Sequence, residues 1–157
     1  MIKLLFVCHA NICRSPMAEA IMKSMIAEAG LSKHITIDSA GTHCGLAGES
    51  AYYRVIETLD GYGLQPASVA RQLEYEDLNA FDYIFAMDRR NLSFILRHSA
   101  GCRAQVSLFL EEAQRMGSVN RDEVADPFPN GDYEEAYRII YAGCVNLLAK
   151  LRRTHQL

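Results

Sequence analysis

Apolar residues run almost unbroken from Ile2 to Cys8, with Lys3 the only interruption, as in a strand buried on both faces. Met17, Ala18, Ile21, Met25 and Ala29 then recur at three- and four-residue spacing, which predicts a helix with one face on a sheet. Ser15 is its expected cap, Pro16 fits its first turn and Gly30 its end. Polar and apolar positions alternate through residues 35–39, a second strand. A loop to Gly48 and a helix from about Glu49 to Asp60 follow, punctuated by Gly61 and Gly63. Residues 82–87 read as a third strand, Asp88 as the cap of a helix reaching about His98, and residues 105–108 as a fourth strand. The polar stretch from Gln114 to Asp122 reads as a surface connection. A rigid loop, residues 126–132, introduces a long helix whose buried stripe is Tyr133, Tyr137, Ile140, Cys144, Leu147, Leu148 and Leu151.

Strands alternating with helices make an α/β protein: a three-layer sandwich with a parallel sheet and, through right-handed crossovers, helices on both faces. At 157 residues the chain is expected to form a single domain over residues 1–157. Periodicity gives the class and leaves the strand order open.

Composition changes this picture little. A net charge of −3 gives no reason to expect nucleic acid or an anionic membrane as a partner. No apolar run approaches a membrane span, and the N-terminal run is too short for a signal peptide, so the cytoplasm is the expected compartment. Five cysteines without a Cys-x2-Cys pair argue against a disulfide framework and a zinc site. No metal or other cofactor is expected.

The chemistry lies where the first strand meets the first helix: Cys8-His9-Ala10-Asn11-Ile12-Cys13-Arg14-Ser15-Pro16. A tight loop before a helix offers backbone N–H groups and the positive end of a helix dipole to an oxyanion. The Arg14 fork can hold two oxygens of a phosphate. Cationic surroundings favour the nucleophilic thiolate of a cysteine, which makes Cys8 a candidate nucleophile.

With Val7, this stretch resembles the Val-Cys-x-Gly-Asn-x-Cys-Arg-Ser-Pro signature of the low-molecular-weight protein tyrosine phosphatases. Ser39-Ala40-Gly41-Thr42, Ala70-Arg71-Gln72-Leu73, Ala86-Met87-Asp88 and Asp126-Pro127 resemble further family segments, so the likeness covers nearly the whole chain. It implies a four-stranded sheet in order 2-1-3-4. It implies hydrolysis of phosphotyrosine proteins or aryl phosphates through a cysteinyl-phosphate, with Cys8 the nucleophile, Arg14 and the loop residues His9, Ala10, Asn11, Ile12 and Cys13 the phosphate cradle, and Asp126 the general acid and base. Ser15, Asn11, Asp88 and Ser39 take supporting roles: Ser15 donates to the Cys8 sulfur, Asn11 shapes the loop and Asp88 orients Arg14. His9, Ile12 and Phe128 line the substrate cleft, and Cys13 is a redox partner for Cys8.

Departures from the pattern are visible. Ala10 replaces a glycine, at a cost if the loop needs φ > 0 there. Gly45 stands where an aromatic cleft wall is usual, Ser68 where a bracing histidine is usual, and Phe128-Pro129 where two tyrosines are usual. Related chemistries on this fold are arsenate reduction, which needs further paired cysteines, and phosphoarginine hydrolysis, which goes with a small polar residue at position 12. The non-enzymatic alternative is a phosphate-binding or thiol-sensor module.

Overall fold

The computed structural model describes all residues, Met1–Leu157. In chain order the elements are β1 (Ile2–Cys8), α1 (Arg14–Glu28), β2 (Ile35–Gly41), α2 (Tyr53–Asp60), α3 (Asp77–Ala80), β3 (Tyr83–Ala86), α4 (Arg89–Arg97), β4 (Gln105–Leu108), α5 (Glu111–Arg115), α6 (Pro127–Asn130) and α7 (Tyr133–His155). The four strands form one parallel sheet in the order β2-β1-β3-β4. The expected class and strand order both hold.

The pleat of β1 divides the interior. Leu4, Phe6 and Cys8 face a large core built with α1, α2, α5 and α7. Leu5 and Val7 face a smaller one with Leu78 of α3 and Ile95 of α4. α7 lies close against the segment after β4: a Cβ on Gly143 would stand 2.3 Å from the Phe109 ring. Because all strands run the same way, their carboxyl ends meet on one rim, where Cys8 and Gly41 are register partners and Asp88 follows β3.

Several boundaries differ from the sequence reading. α2 begins at Tyr53 rather than Glu49, because the segment before it is paired elsewhere. Gly48 N–H donates to Ala70 O at 2.8 Å, Ala70 N–H to Glu49 O at 2.8 Å, and Tyr52 N–H to Ile12 O at 2.9 Å. Long-range backbone pairing thus outweighs local helical preference. β2 continues to Gly41, and an isolated bridge from Gly41 to Gln72 extends it. The polar connection begins within α5, which takes in Gln114 and Arg115. The rigid loop contains one helical turn, α6, capped by the Asp126 side chain accepting from Phe128 N–H.

Candidate active site

The loop between β1 and α1 leaves its backbone donors free. None of the five backbone N–H groups of residues 9–13 has an acceptor within the chain. Five consecutive donors without intramolecular partners, followed by a helix start, form the kind of concavity that binds anions. Several of the loop's carbonyls, by contrast, are tied down: Cys8 O accepts from Thr42 N–H at 3.0 Å, His9 O from His43 N–H at 2.8 Å, and Ile12 O from Tyr52 N–H.

Cys8 is nearly fully buried. Its sulfur lies 2.9 Å from Ser15 Oγ. Ser15 does not cap α1 as expected; Cys13 holds the cap position without a side-chain bond, and Ser15 sits in the first turn with its hydroxyl turned inward. Asn11 Nδ2 donates to Ser15 Oγ at 2.8 Å and to Ser39 Oγ at 3.0 Å, while its Oδ1 accepts from Arg71 N–H at 2.9 Å.

The positive φ that would make an alanine costly does not fall on Ala10 but one residue later. Asn11 has φ 60°, and Ala10 has no positive φ. Asn11 tolerates this conformation better than most residues, and its three hydrogen bonds hold it there. The glycine the loop does require is Gly41: a Cβ there would meet His9 O and Ala10 C at 2.8 Å and Asn11 N at 2.9 Å. β2 and the loop touch backbone to backbone.

Beneath the loop runs a buried polar chain. Ser39 Oγ donates to Glu19 Oε1 at 2.5 Å, and Ser68 Oγ to the same oxygen at 2.8 Å. Ser68 therefore does brace the loop, at one remove, through Glu19, Ser39 and Asn11. Glu19 is 1% exposed. Burial pushes its carboxyl above the usual range, and the two serine bonds pull the other way without restoring it. The sequence reading missed Glu19; its one signal was an acid inside the apolar run Ala18-Glu19-Ala20-Ile21-Met22.

Arg14 is buried and doubly anchored. Its Nη1 donates to Asp88 Oδ2 at 2.7 Å and to Val124 O at 2.9 Å. Asp88 has both roles considered for it, since its side chain also caps α4 in a reciprocal box with Asn91. Burial disfavours the Arg14 charge, but Cys8, Asp88 and Asp126 more than offset this and hold the guanidinium above its ordinary value. Val124 was not anticipated, since a backbone acceptor carries no side-chain signal.

These parts enclose a cavity of about 210 Å³ lined by Cys8, His9, Ala10, Ile12, Cys13, Arg14, Asp126 and Phe128. Every residue assigned from the sequence to catalysis or the cleft lines it, and Asn11 lies beneath. No residue of the loop containing Gly45 contributes, in keeping with the missing aromatic wall. Phe128 is a half-exposed flank, with the Tyr52 ring edge-on 5.5 Å behind it. The Cys13 thiol, pushed up to about 12 by burial and then by Cys8, stays protonated. Cys44, Cys102 and Cys144 are free, and none lines the cavity. No group of three His, Cys, Asp or Glu side chains is arranged as a metal ligand set, and no helix is long and apolar enough to cross a membrane.

Comparison with known proteins agrees with this geometry. Residues 3–157 match the family model described as low molecular weight phosphotyrosine protein phosphatase. The chain is 38% identical to the low molecular weight protein-tyrosine-phosphatase YfkJ of Bacillus subtilis, over the whole of both chains. The crystal structure of YfkJ superposes with a TM-score of 0.91 at 35% identity, covering 98% of this chain and 96% of that one. The Drosophila arginine phosphatase gives 0.87 at 30% identity, covering 96% and 98%. An oxyanion cradle, a buried thiol beside a serine hydroxyl and a match over nearly the full length lead to one conclusion: the chain belongs to the low molecular weight phosphotyrosine protein phosphatase family and is a phosphatase.

Proposed function

We propose that this phosphatase hydrolyses phosphotyrosine in proteins, and small aryl phosphates, through a cysteinyl-phosphate. The observation that carries the reading is the meeting of Cys8 and Arg14 with Asp126, which comes from a distant part of the chain, on one cavity beside five unpaired loop N–H groups. The Cys8 thiolate attacks phosphorus in line, forming the S–P bond as the P–O bond to the leaving group breaks. Arg14 and the N–H groups of residues 9–14 take the equatorial oxygens, where charge is spread in the transition state. Asp126 gives its proton to the departing phenolate, then takes one from the water that cleaves the intermediate. Ser15 stabilises the Cys8 sulfur as it leaves, Asn11 and Ser39 hold the loop in shape, and Asp88 fixes the plane of Arg14. His9, Ile12 and Phe128 form the cleft for the organic group.

Cys13 takes the redox role. Peroxide converts Cys8 to a sulfenic acid, and condensation with the Cys13 thiol expels water and leaves a reducible disulfide in place of over-oxidation. The functional unit is read as one domain over residues 1–157 acting in the cytoplasm, without metal or nucleic acid.

A second reading, phosphoarginine hydrolysis, has support from the similarity to the Drosophila arginine phosphatase. Ile12 in the cleft favours the aromatic substrate, since an apolar side chain cannot pair with a guanidinium. The test is turnover of p-nitrophenyl phosphate in chelator, with phosphotyrosine and phosphoarginine peptides in parallel. Cys8→Ser should abolish turnover, and Asp126→Asn should lower kcat on the aryl phosphate by roughly 10²–10⁴, the scale of general-acid catalysis. Substantial hydrolysis by Cys8→Ser, or a phosphoarginine rate exceeding the phosphotyrosine rate, would reject the reading.

A further inference from the structure

The reaction cavity has a neighbour. His9 also borders a second, open cavity of about 470 Å³ whose walls include Thr42, His43, Arg89, Arg90 and Arg97. No Asp or Glu lines it, although acidic residues outnumber Lys and Arg in the chain, 19 to 16. Arg89 is already engaged, by Asp122 at 2.5 Å and Glu123 at 3.1 Å. Arg90 and Arg97 have no carboxylate partner. They lie two turns apart on α4 and share a face with Phe94. The Arg97 guanidinium stands 5.7 Å over the Phe94 ring.

A run of rings joins the two cavities. His9 stacks on His43 with centroids 4.8 Å apart and planes 19° apart, and His43 meets Phe94 at 5.1 Å. Thr42 Oγ1, 2.9 Å from His43 Nδ1, fixes that ring. The floor is therefore held in place, while neither guanidinium group is committed to a carboxylate. An isolated surface arginine is ordinary. Two unpaired arginines bordering an acid-free hollow, beside a pocket that takes a phosphate, make a second place for negative charge.

We propose that this hollow is a substrate subsite for a second anionic group, a carboxylate or a further phosphate, carried on the same chain as the reacting phosphotyrosine. The two cavities share His9 as a lining residue, so the group would lie close in sequence to the phosphotyrosine. The inference rests on the phosphatase reading above and specifies which phosphoproteins suit the enzyme: those acidic, or phosphorylated again, beside the target tyrosine.

The test compares kcat/KM for three phosphotyrosine peptides alike except at the flanks, which carry glutamates, glutamines or a phosphoserine. Each is measured at low and high salt with the wild type and with the Arg90→Gln, Arg97→Gln double variant. The wild type should favour the glutamate or phosphoserine peptide over the glutamine peptide by about five- to tenfold, the middle of the range for two exposed arginine–anion pairs. A gain with glutamate alone identifies the ligand as a carboxylate, and a gain with phosphoserine alone as a phosphate. The preference should collapse to within about twofold in high salt, because exposed pairs are screened. The salt arm needs no variant, so it stands even if the double variant folds poorly. The double variant should lose the preference while p-nitrophenyl phosphate turnover, which reads the reaction cavity alone, is unchanged. Equal use of all three peptides by the wild type, or a preference that survives in the double variant, overturns the proposal. Failure of p-nitrophenyl phosphate turnover in the wild type would count instead against the catalytic assignment.

Discussion

Glu19 accepts two serine hydroxyls through one oxygen and is held above the ordinary carboxylate range by burial. Burial disfavours its charge. A folded-state value above the unfolded one means that its contribution to stability is fully present below the unfolded value and is lost as pH rises through the folded one. Glu19→Gln removes the ionisation and keeps an oxygen acceptor, so it should match or exceed the wild type in urea melts near neutral pH. Its advantage should be larger at about pH 8 than at about pH 5. Glu19→Ala, which takes the acceptor from both hydroxyl donors, should lose about 2 kcal/mol. At this scale the sequence was legible for residues whose chemistry is conspicuous. Cys8 and Arg14 stand out by type and spacing, and Asp126 by the family resemblance; Glu19 does not, because an acid on a helix is ordinarily solvent-facing. Ala10 carries no such cost, since the positive φ falls on Asn11.

Among the elements, the loop from His9 to Cys13 depends on its neighbours for shape. β2 reaches it through Gly41, and residues 70–72 reach β2 and Asn11 in turn. Gly41→Ala puts a methyl group against loop backbone, which cannot swing aside as a flexible side chain would. The expected result is a fall of at least about tenfold in kcat on p-nitrophenyl phosphate, since small misplacements at a reacting centre are costly, with a stability loss of roughly 1–3 kcal/mol typical of overpacking. Steady-state kinetics and thermal melts would show both. An unchanged kcat would mean that the loop's shape is set from elsewhere. The start of α2 was misread for a related reason. Residues 49–52 look helical from their own composition, but their backbone groups are claimed by Ala70 and Ile12, and no local pattern announces a partner that far away.

Across the molecule, α5 and α7 are joined by a buried acid. Glu112 takes Arg115 at 2.6 Å, Arg153 at 3.0 Å and Lys150 at 3.9 Å. Chiefly through the Arg115 hydrogen bonds, its carboxyl is held below the usual range. That sign is opposite to Glu19: the contribution is present above the unfolded value and fades as pH falls through the folded one. Glu112→Gln should cost about 1–2 kcal/mol at neutral pH, a network of partly exposed partners being worth little more than that. The difference from the wild type should shrink in melts taken below about pH 4.

By itself the sequence determined the class of fold, because an unbroken apolar strand and three- to four-residue helical stripes have one economical way to bury their surfaces. It also determined the chemical type of the site, because a thiol, a loop and an arginine in that spacing suit an oxyanion. The tertiary structure alone decided which backbone donors stay free, where the strain falls, that Ser68 reaches the loop through a buried glutamate, and that unpaired arginines gather beside the reaction cavity. Those are relations between residues far apart in the chain, set by packing and hydrogen-bond satisfaction, and no periodicity along the chain encodes them.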